Sequence, residues 1–449
     1  MIRDPERGLP APRSGFRLRN GGRAFRHHNY RLFFVGLLVS LIGTWMQQLA
    51  QAWLVLDLTG DPFVLGLVAA LAFLPVLILG LFGGLIADAL PKRQTLMVTQ
   101  TIQMVLAFVL FGLTVTDTVE VWQILVLALL LGVTNAVDMP TRQAFTVEMV
   151  GREDVANAIA LNAAVFNGSR VVGPAIAGLT IGFFGGDVSV AFLLNGLSFA
   201  AVIAAYAAMR QSELRTPPPL PRPRSVREVG VSLGEGLRYV RHTKLVLLVT
   251  VTVGVAAILG MNFGVTIPAL AREVLGTDAT GFGFLMTATG IGSLTAALLI
   301  AFSGRSRPVV VPLGALILGG ALVAAAFIDV YAFALVAMLF VGFGAIGMAA
   351  TANTTIQLAV PDELRGRVIS VYTTVFVGST PLGGLLMGWI ASSVSVEASL
   401  IVGGVGCLVV GSLSLAWLRR IRGAALFAPG GPTRQPASGG APAAPGGGG

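Results

Sequence analysis

The sequence predicts an all-α integral membrane protein with twelve transmembrane helices in two pseudo-symmetric six-helix bundles. Three observations carry this reading. The 449 residues are 55% hydrophobic and 11% charged, with a mean hydropathy of +0.83, whereas soluble domains carry about 25% charged residues. The second half repeats the first at a constant offset of 210 residues. The basic residues fall on one side of the predicted spans, so charge pattern and span count support each other.

Runs of about 18 or more nearly uncharged residues read as spanning helices. Twelve such runs lie at about 31–57, 64–87, 94–115, 121–141, 155–184, 188–208, 245–270, 281–302, 308–328, 332–357, 368–393 and 400–418. A helix satisfies its own backbone hydrogen bonds, as lipid requires of any spanning segment. Several runs are rich in glycine, which weakens a helix in water but permits close helix packing in a bilayer.

The duplication is clearest where residues 150–178 align without a gap on residues 360–388. Nine of those 29 positions are identical, among them Gly168/Gly378, Ser169/Ser379, Gly173/Gly383 and Gly178/Gly388. Gly132/Gly342 falls on the same diagonal. Duplicated membrane halves are a common way of building transporters. The copies differ where Arg170 stands opposite Thr380.

With twelve spans, 28 of the 30 Lys and Arg residues lie on one side. The exceptions are Arg170, inside the fifth span, and Arg272, in the opposite loop between spans seven and eight. Positive-inside asymmetry then places both termini in the cytoplasm and the multi-pass chain in the cytoplasmic, inner cell membrane. The net charge of +9 is therefore a topology signal, with anionic membrane lipids rather than nucleic acid as the partner.

The expected organisation is a cytoplasmic tail (1–29), a first bundle (30–208), a cytoplasmic loop (209–244), a second bundle (245–418) and a disordered, Gly/Pro/Ala-rich tail (419–449). The loop begins with TPPPLPRPR, an extended and semi-rigid composition. Ser225-Val-Arg-Glu228 follows as a capping-box pattern. Val226, Val229, Leu233, Leu237 and Val240 recur at helical spacing beside Arg227, Arg238 and Arg241. That predicts an amphipathic helix on the inner leaflet; a solvated linker is the alternative. Cys407 is the single cysteine and can form no internal disulfide. The first apolar run, about 27 residues long, is too long for a signal-peptide core and reads as an uncleaved helix.

The turn after the second span reads Gly84-Leu-Ile-Ala-Asp88-Ala-Leu-Pro-Lys92-Arg93. It resembles the signature G-x-L-A-D-R-x-G-R-K of the major facilitator superfamily, with Ala89 at its first basic position and Pro91 at its second glycine. The resemblance extends over about residues 30–420. Span five carries Ser169-Arg-Val-Val-Gly173-Pro174-Ala-Ile-Ala-Gly178. This is similar to the antiporter signature G-x-x-x-G-P-x-x-G-G and implies export; close helix packing explains the same residues. Asn135-Ala-Val-Asp138-Met-Pro-Thr-Arg142-Gln, Arg152-Glu-Asp-Val-Ala-Asn157-Ala-Ile and Leu54-Val-Leu-Asp-Leu-Thr59-Gly resemble the secretion-effector branch. That branch includes enterobactin-exporter-like proteins and macrolide or multidrug efflux pumps.

The resemblance gives Asp88, Lys92 and Arg93 a gating role, with Arg142 and the start of span eleven near Arg365 as partners of Asp88. Gly173 and Pro174 join the gating set through close approach and a bent helix. Arg170 is the charge that lipid tolerates least, at ~2.5–3.5 kcal/mol for an Arg at a helix centre. Gln47, Gln48 and Gln51 lie at similar depth on span one, and Asn167 one turn earlier, as expected polar partners. Arg170 is then either an anchor for an anionic or carbonyl-rich substrate or an interhelical hydrogen-bond clamp.

Asp138 is the proton-coupling candidate, with Arg142 one turn later at ion-pair spacing; a structural ion pair near the cytoplasmic end is the alternative. Asp57 is the second, at the outer end of span one, where a helix-boundary role is the alternative. Superfamily drug–proton antiporters often hold an Arg in mid-span four, yet residues 124–133 carry no charge here. Coupling is therefore implied by kinship. Trp45, Asn135, Asn262, Asn353 and Tyr372 complete a cavity with few charges, suited to an amphipathic substrate.

There is no P-loop, and the three histidines are His27, His28 and His242. Neither a cofactor nor a metal is expected, and an integral-membrane enzyme would need clustered His, Asp or Cys. The chain is thus expected to be a monomeric secondary transporter. It would export small amphipathic compounds, siderophore or drug, by alternating access and proton antiport. A lysophospholipid carrier of the same fold is the alternative.

Overall fold

The computed structural model describes residues 22–215, 226–303 and 307–422, without the side chains of residues 81, 85, 87, 88, 226–232 and 422. Expectations for the distal parts of both tails and for TPPPLPRPR lie outside the described residues.

The first half comprises α1 (His28–Thr59), α2 (Pro62–Ala89), α3 (Lys92–Val115), α4 (Val121–Phe183) and α5 (Ser189–Ala207). Next comes α6 (Val226–His242). The second half comprises α7 (Lys244–Gly260), α8 (Phe263–Ala269), α9 (Ala279–Ser303), α10 (Val310–Ala325), α11 (Tyr331–Ala359), α12 (Asp362–Ser393) and α13 (Val396–Arg422). Ten helical segments are long and apolar enough to cross a membrane. The 63-residue α4 supplies two crossings, and the shorter apolar α10 completes twelve among the described residues.

An even number of crossings brings the start of α1 and the end of α13 to the same face, called here the terminal end. The opposite face, where α1 turns into α2, is the far end. That turn is built by local chemistry. Gly60 ends α1 in a left-handed conformation, with φ +58, and donates its N–H to the Leu56 carbonyl at 2.8 Å. Asp61 then caps α2 by accepting from the Phe63 N–H at 2.8 Å, with Pro62 in the first turn.

Three spans depart from the expected boundaries. Spans four and five were expected as 121–141 and 155–184, separated by a turn; instead the helix continues through and breaks only at Gly151. Gly151 has φ +73, a conformation glycine adopts without a Cβ penalty. Span seven is not one helix. It breaks around Asn262, whose side-chain N–H donates to the Ile258 carbonyl at 2.6 Å, and α8 ends in a π-helical turn, Leu270–Val274.

The halves interlock by a symmetric exchange. The second part of α4 packs on α9, and α12, its repeat partner, packs on α2. The duplicated glycines make both contacts. A Cβ at Gly178 would lie 3.1 Å from the Thr280 carbonyl, and one at Gly388 would lie 2.9 Å from the Pro62 carbonyl. Gly173 plays the other role, facing its own half: a Cβ there would meet Trp45 Cβ at 2.5 Å. An apolar crevice of about 500 Å³ between α10 and α11, walled by Leu316, Phe333 and Phe340, lies on the flank of the second half.

Candidate functional site

The seam between the halves is closed at the far end. Arg272, in the π-helical turn, forms an ion pair with Asp57 of α1. Its guanidinium carbon lies 5.7 Å from the centroid of the Trp53 ring, and Trp53 stacks on Phe282 of α9 at 6.1 Å. Deeper in the seam, Thr280 donates to the Gly178 carbonyl at 3.1 Å and Thr287 to the Val171 carbonyl at 3.4 Å. Among the described residues, the polar contacts that cross the seam are these three.

At the terminal end, no ion pair among the described residues crosses between the two halves. Lys92 of α3 reaches Glu148 of α4 at 3.0 Å, and Arg23 reaches Asp154 at 3.1 Å. Arg215 pairs with Glu153, Arg142 with Asp138, Arg365 with Asp362, and Arg367 with Glu235 of α6. Arg93 donates to the carbonyls of Tyr206 and Ala207 at 2.6 and 2.9 Å. The expected contacts of Asp88 with Arg142 and Arg365 involve a side chain that lies outside the described residues.

Arg170 sits midway along the seam on α4. Its guanidinium carbon is 5.7 Å from the Trp45 ring of α1 and 5.6 Å from the Phe263 ring of α8. It is flanked by an aromatic ring from each half. Such contacts contribute about 0.5–1 kcal/mol each when exposed and about 2 when desolvated. The expected glutamine cluster does not form around it. Gln47 instead accepts from Asn195 of α5 at 2.6 Å, and Asn167 bonds back to the Ala163 carbonyl at 2.8 Å. Aromatic packing has replaced hydrogen bonding because α1 presents Trp45, not its glutamines, to this face.

Asp138 is fully buried on α4. Its carboxylate accepts from Thr99 at 2.7 Å and from the Gln100 amide at 2.9 Å, both on α3, and pairs with Arg142. Each hydrogen bond to a charged group is worth about 1.5–3 kcal/mol, so this set fixes the carboxylate between α3 and α4. The second coupling candidate, Asp57, lies at the far-end seam with its side chain 47% exposed.

The remaining cavity candidates are scattered. Asn135 accepts from Gln103 of α3 at 3.2 Å, Asn353 from Gln357 at 3.0 Å, and Tyr372 donates to the Ala349 carbonyl at 3.3 Å. Gln48 is exposed, Gln51 is half-buried and Asn262 caps the α7 break. Only Trp45 and Arg170 come together, joined by Phe166, whose ring meets Trp45 edge-on at 5.9 Å. Phe166 is 47% exposed, so this cluster borders open space. Phe263, Thr99 and Gln100 are the residues the sequence reading missed. The two polar residues in an apolar run were an available signal; nothing distinguishes Phe263 from a packing residue.

Two interlocked six-span halves that meet at a polar seam define a membrane transporter, not an enzyme. The chain belongs to the transmembrane secretion effector family, whose profile matches residues 22–426. It is 29% identical over 403 residues to the multidrug efflux pump Tap of Mycolicibacterium fortuitum, covering 87% of this chain and 96% of that one. It is 24% identical to the staphyloferrin A transporter of Staphylococcus aureus, covering 85% and 94%. Its fold is similar to a bacterial homologue of the human lysosomal transporter Spinster, solved inward-facing and unoccupied. That match has a TM-score of 0.70 at 12% identity and covers 87% and 97% of the two chains.

Proposed function

We propose that this protein exports small amphipathic compounds, a drug or a siderophore, across the cytoplasmic membrane by alternating access driven by proton antiport. The observation that carries this reading is the polarity of the seam. Among the described residues, ion pairing crosses between halves at the far end and does not do so at the terminal end. The positive-inside rule makes the terminal end cytoplasmic, so this state receives substrate from the cytoplasm. Kinship with drug and siderophore transporters supports the substrate range. None of these likenesses supports the lipid-carrier alternative.

Each half then moves as a unit. Lys92 ties α3 to α4 and Arg93 ties α3 to α5, which stiffens the first half. The glycine-lined contacts at Gly178 and Gly388 are where the halves slide. Protonating Asp138 would neutralise the partner of Arg142 and free it for another contact at the closing terminal end. α6, docked through Glu235–Arg367 and through Tyr239, whose hydroxyl donates to the Ala359 carbonyl at 3.4 Å, lies along the inner leaflet. The protein works as a monomer.

Everted vesicles with an imposed proton gradient test this. Ethidium or an iron-free siderophore should accumulate inside vesicles holding the wild-type chain, and Asp138→Asn should abolish the dependence on the gradient. Flux that ignores the gradient in both proteins would remove proton coupling. No accumulation of any compound would remove the export reading.

A further inference from the structure

We propose that Arg170 is the specificity-determining residue of the transport site and selects compounds that carry an anionic group, such as a carboxylate or catecholate. This rests on the export reading and adds the chemical class of the cargo.

Arg170 is anomalous in three independent ways. It breaks the positive-inside pattern, and its repeat counterpart is Thr380, so the shared architecture does not require a cation there. It makes no hydrogen bond and no ion pair among the described residues; the rings of Trp45 and Phe263 are its neighbours. Finally, its side chain is only partly buried, and none of its nitrogens is among the fully buried polar atoms that lack partners.

A guanidinium carries five N–H donors in a fixed planar fork. Inside a membrane protein, donors that the fold leaves unused must find water or a ligand acceptor. A carboxylate or the paired oxygens of a catecholate match that fork with two parallel hydrogen bonds. A cationic drug in the same place meets like charge in a medium that screens poorly. The flanking rings add apolar, planar surface for the remainder of an amphipathic molecule. Because one ring comes from each half, the complete site exists only while the far end is closed. An anion is therefore gripped in the state that faces the cytoplasm and loses one wall as the far end opens.

The alternative is that Arg170 is held by the two rings alone, with water on its donors, and has no part in selection. Two dyes on one xanthene scaffold separate these readings: carboxyfluorescein, an anion, and rhodamine 123, a cation. Binding to the full-length protein in nanodiscs is read by fluorescence polarisation. The wild type should prefer carboxyfluorescein. Arg170→Gln should weaken carboxyfluorescein about tenfold or more, the loss of one charged hydrogen bond or more, and leave rhodamine 123 unchanged or tighter.

Arg170→Lys keeps the charge without the fork and should fall between. If Arg170→Gln does not insert, Arg170→Lys decides, since an unchanged affinity for carboxyfluorescein would overturn the proposal. A wild type that prefers rhodamine 123 or fails to bind the anion also overturns it. Transport by the wild type in everted vesicles is scored separately: an exporter of cations alone keeps the export reading and loses this one.

Discussion

Arg272 reaches across from the second half to pair with Asp57 of the first, with the Trp53 ring beneath its guanidinium. Both side chains are partly exposed, at 35% and 47%. Water weakens such a pair to about 0–1 kcal/mol, so it adds little to folding. In the proposed cycle the two surfaces it joins separate, and there a fraction of a kcal/mol moves a balanced equilibrium.

Joining the two positions covalently should therefore arrest the cycle. In an Asp57→Cys/Arg272→Cys variant with Cys407→Ser, oxidation is expected to abolish transport, and reduction to restore it. Dye binding at the midpoint of the seam should survive oxidation. Transport that continues in the cross-linked protein would show that the far end need not open.

Asp138→Ala should be among the most damaging single changes. It removes the partner of Arg142 and two hydrogen bonds from α3 at a fully buried position. Breaking a buried pair from one side costs about 3–5 kcal/mol. A marked fall in melting temperature is expected, with Asp138→Asn milder. The double variant Asp138→Asn/Arg142→Gln should recover part of the loss.

Gly178→Leu targets the contact between α4 and α9. A Cβ there already lies 3.1 Å from the Thr280 carbonyl and 3.2 Å from Gly283 Cα. The larger side chain should wedge the far end open at about 1–3 kcal/mol of overpacking. Spin labels on α1 and α9 at the far end should report a longer mean distance. An unchanged distance would mean that α4 yields instead.

Gly151→Ala should loosen the break in α4. At φ +73 and ψ 175 an alanine is strained, by about 1–3 kcal/mol, and its methyl would also meet the Arg215 side chain. Lower thermal stability is expected. Gly168→Ala, where a Cβ meets open space, is the matched control and should be nearly neutral.

The spans and the pseudo-symmetry were legible because lipid imposes composition and length, which single segments carry. Contacts between helices distant in sequence were not. That Arg170 would rest against Phe263 depends on how α8 crosses α1, which no local spacing encodes. Asp138 was recognisable as a buried charge with a helical partner, but its acceptance from Thr99 and Gln100 follows from the packing of α3 on α4. The two cations that departed from the charge rule, Arg170 and Arg272, both proved to lie on the seam. A breach of a global rule located the interface where local motifs did not.

The exchange between α4 on α9 and α12 on α2 has one more consequence. Each half supplies both a ridge and the groove that receives the other's ridge, as in a two-fold homodimer. The seam is one recognition event written twice. Damage at Gly178 should therefore leave an intact second copy at Gly388, so that the two halves stay joined.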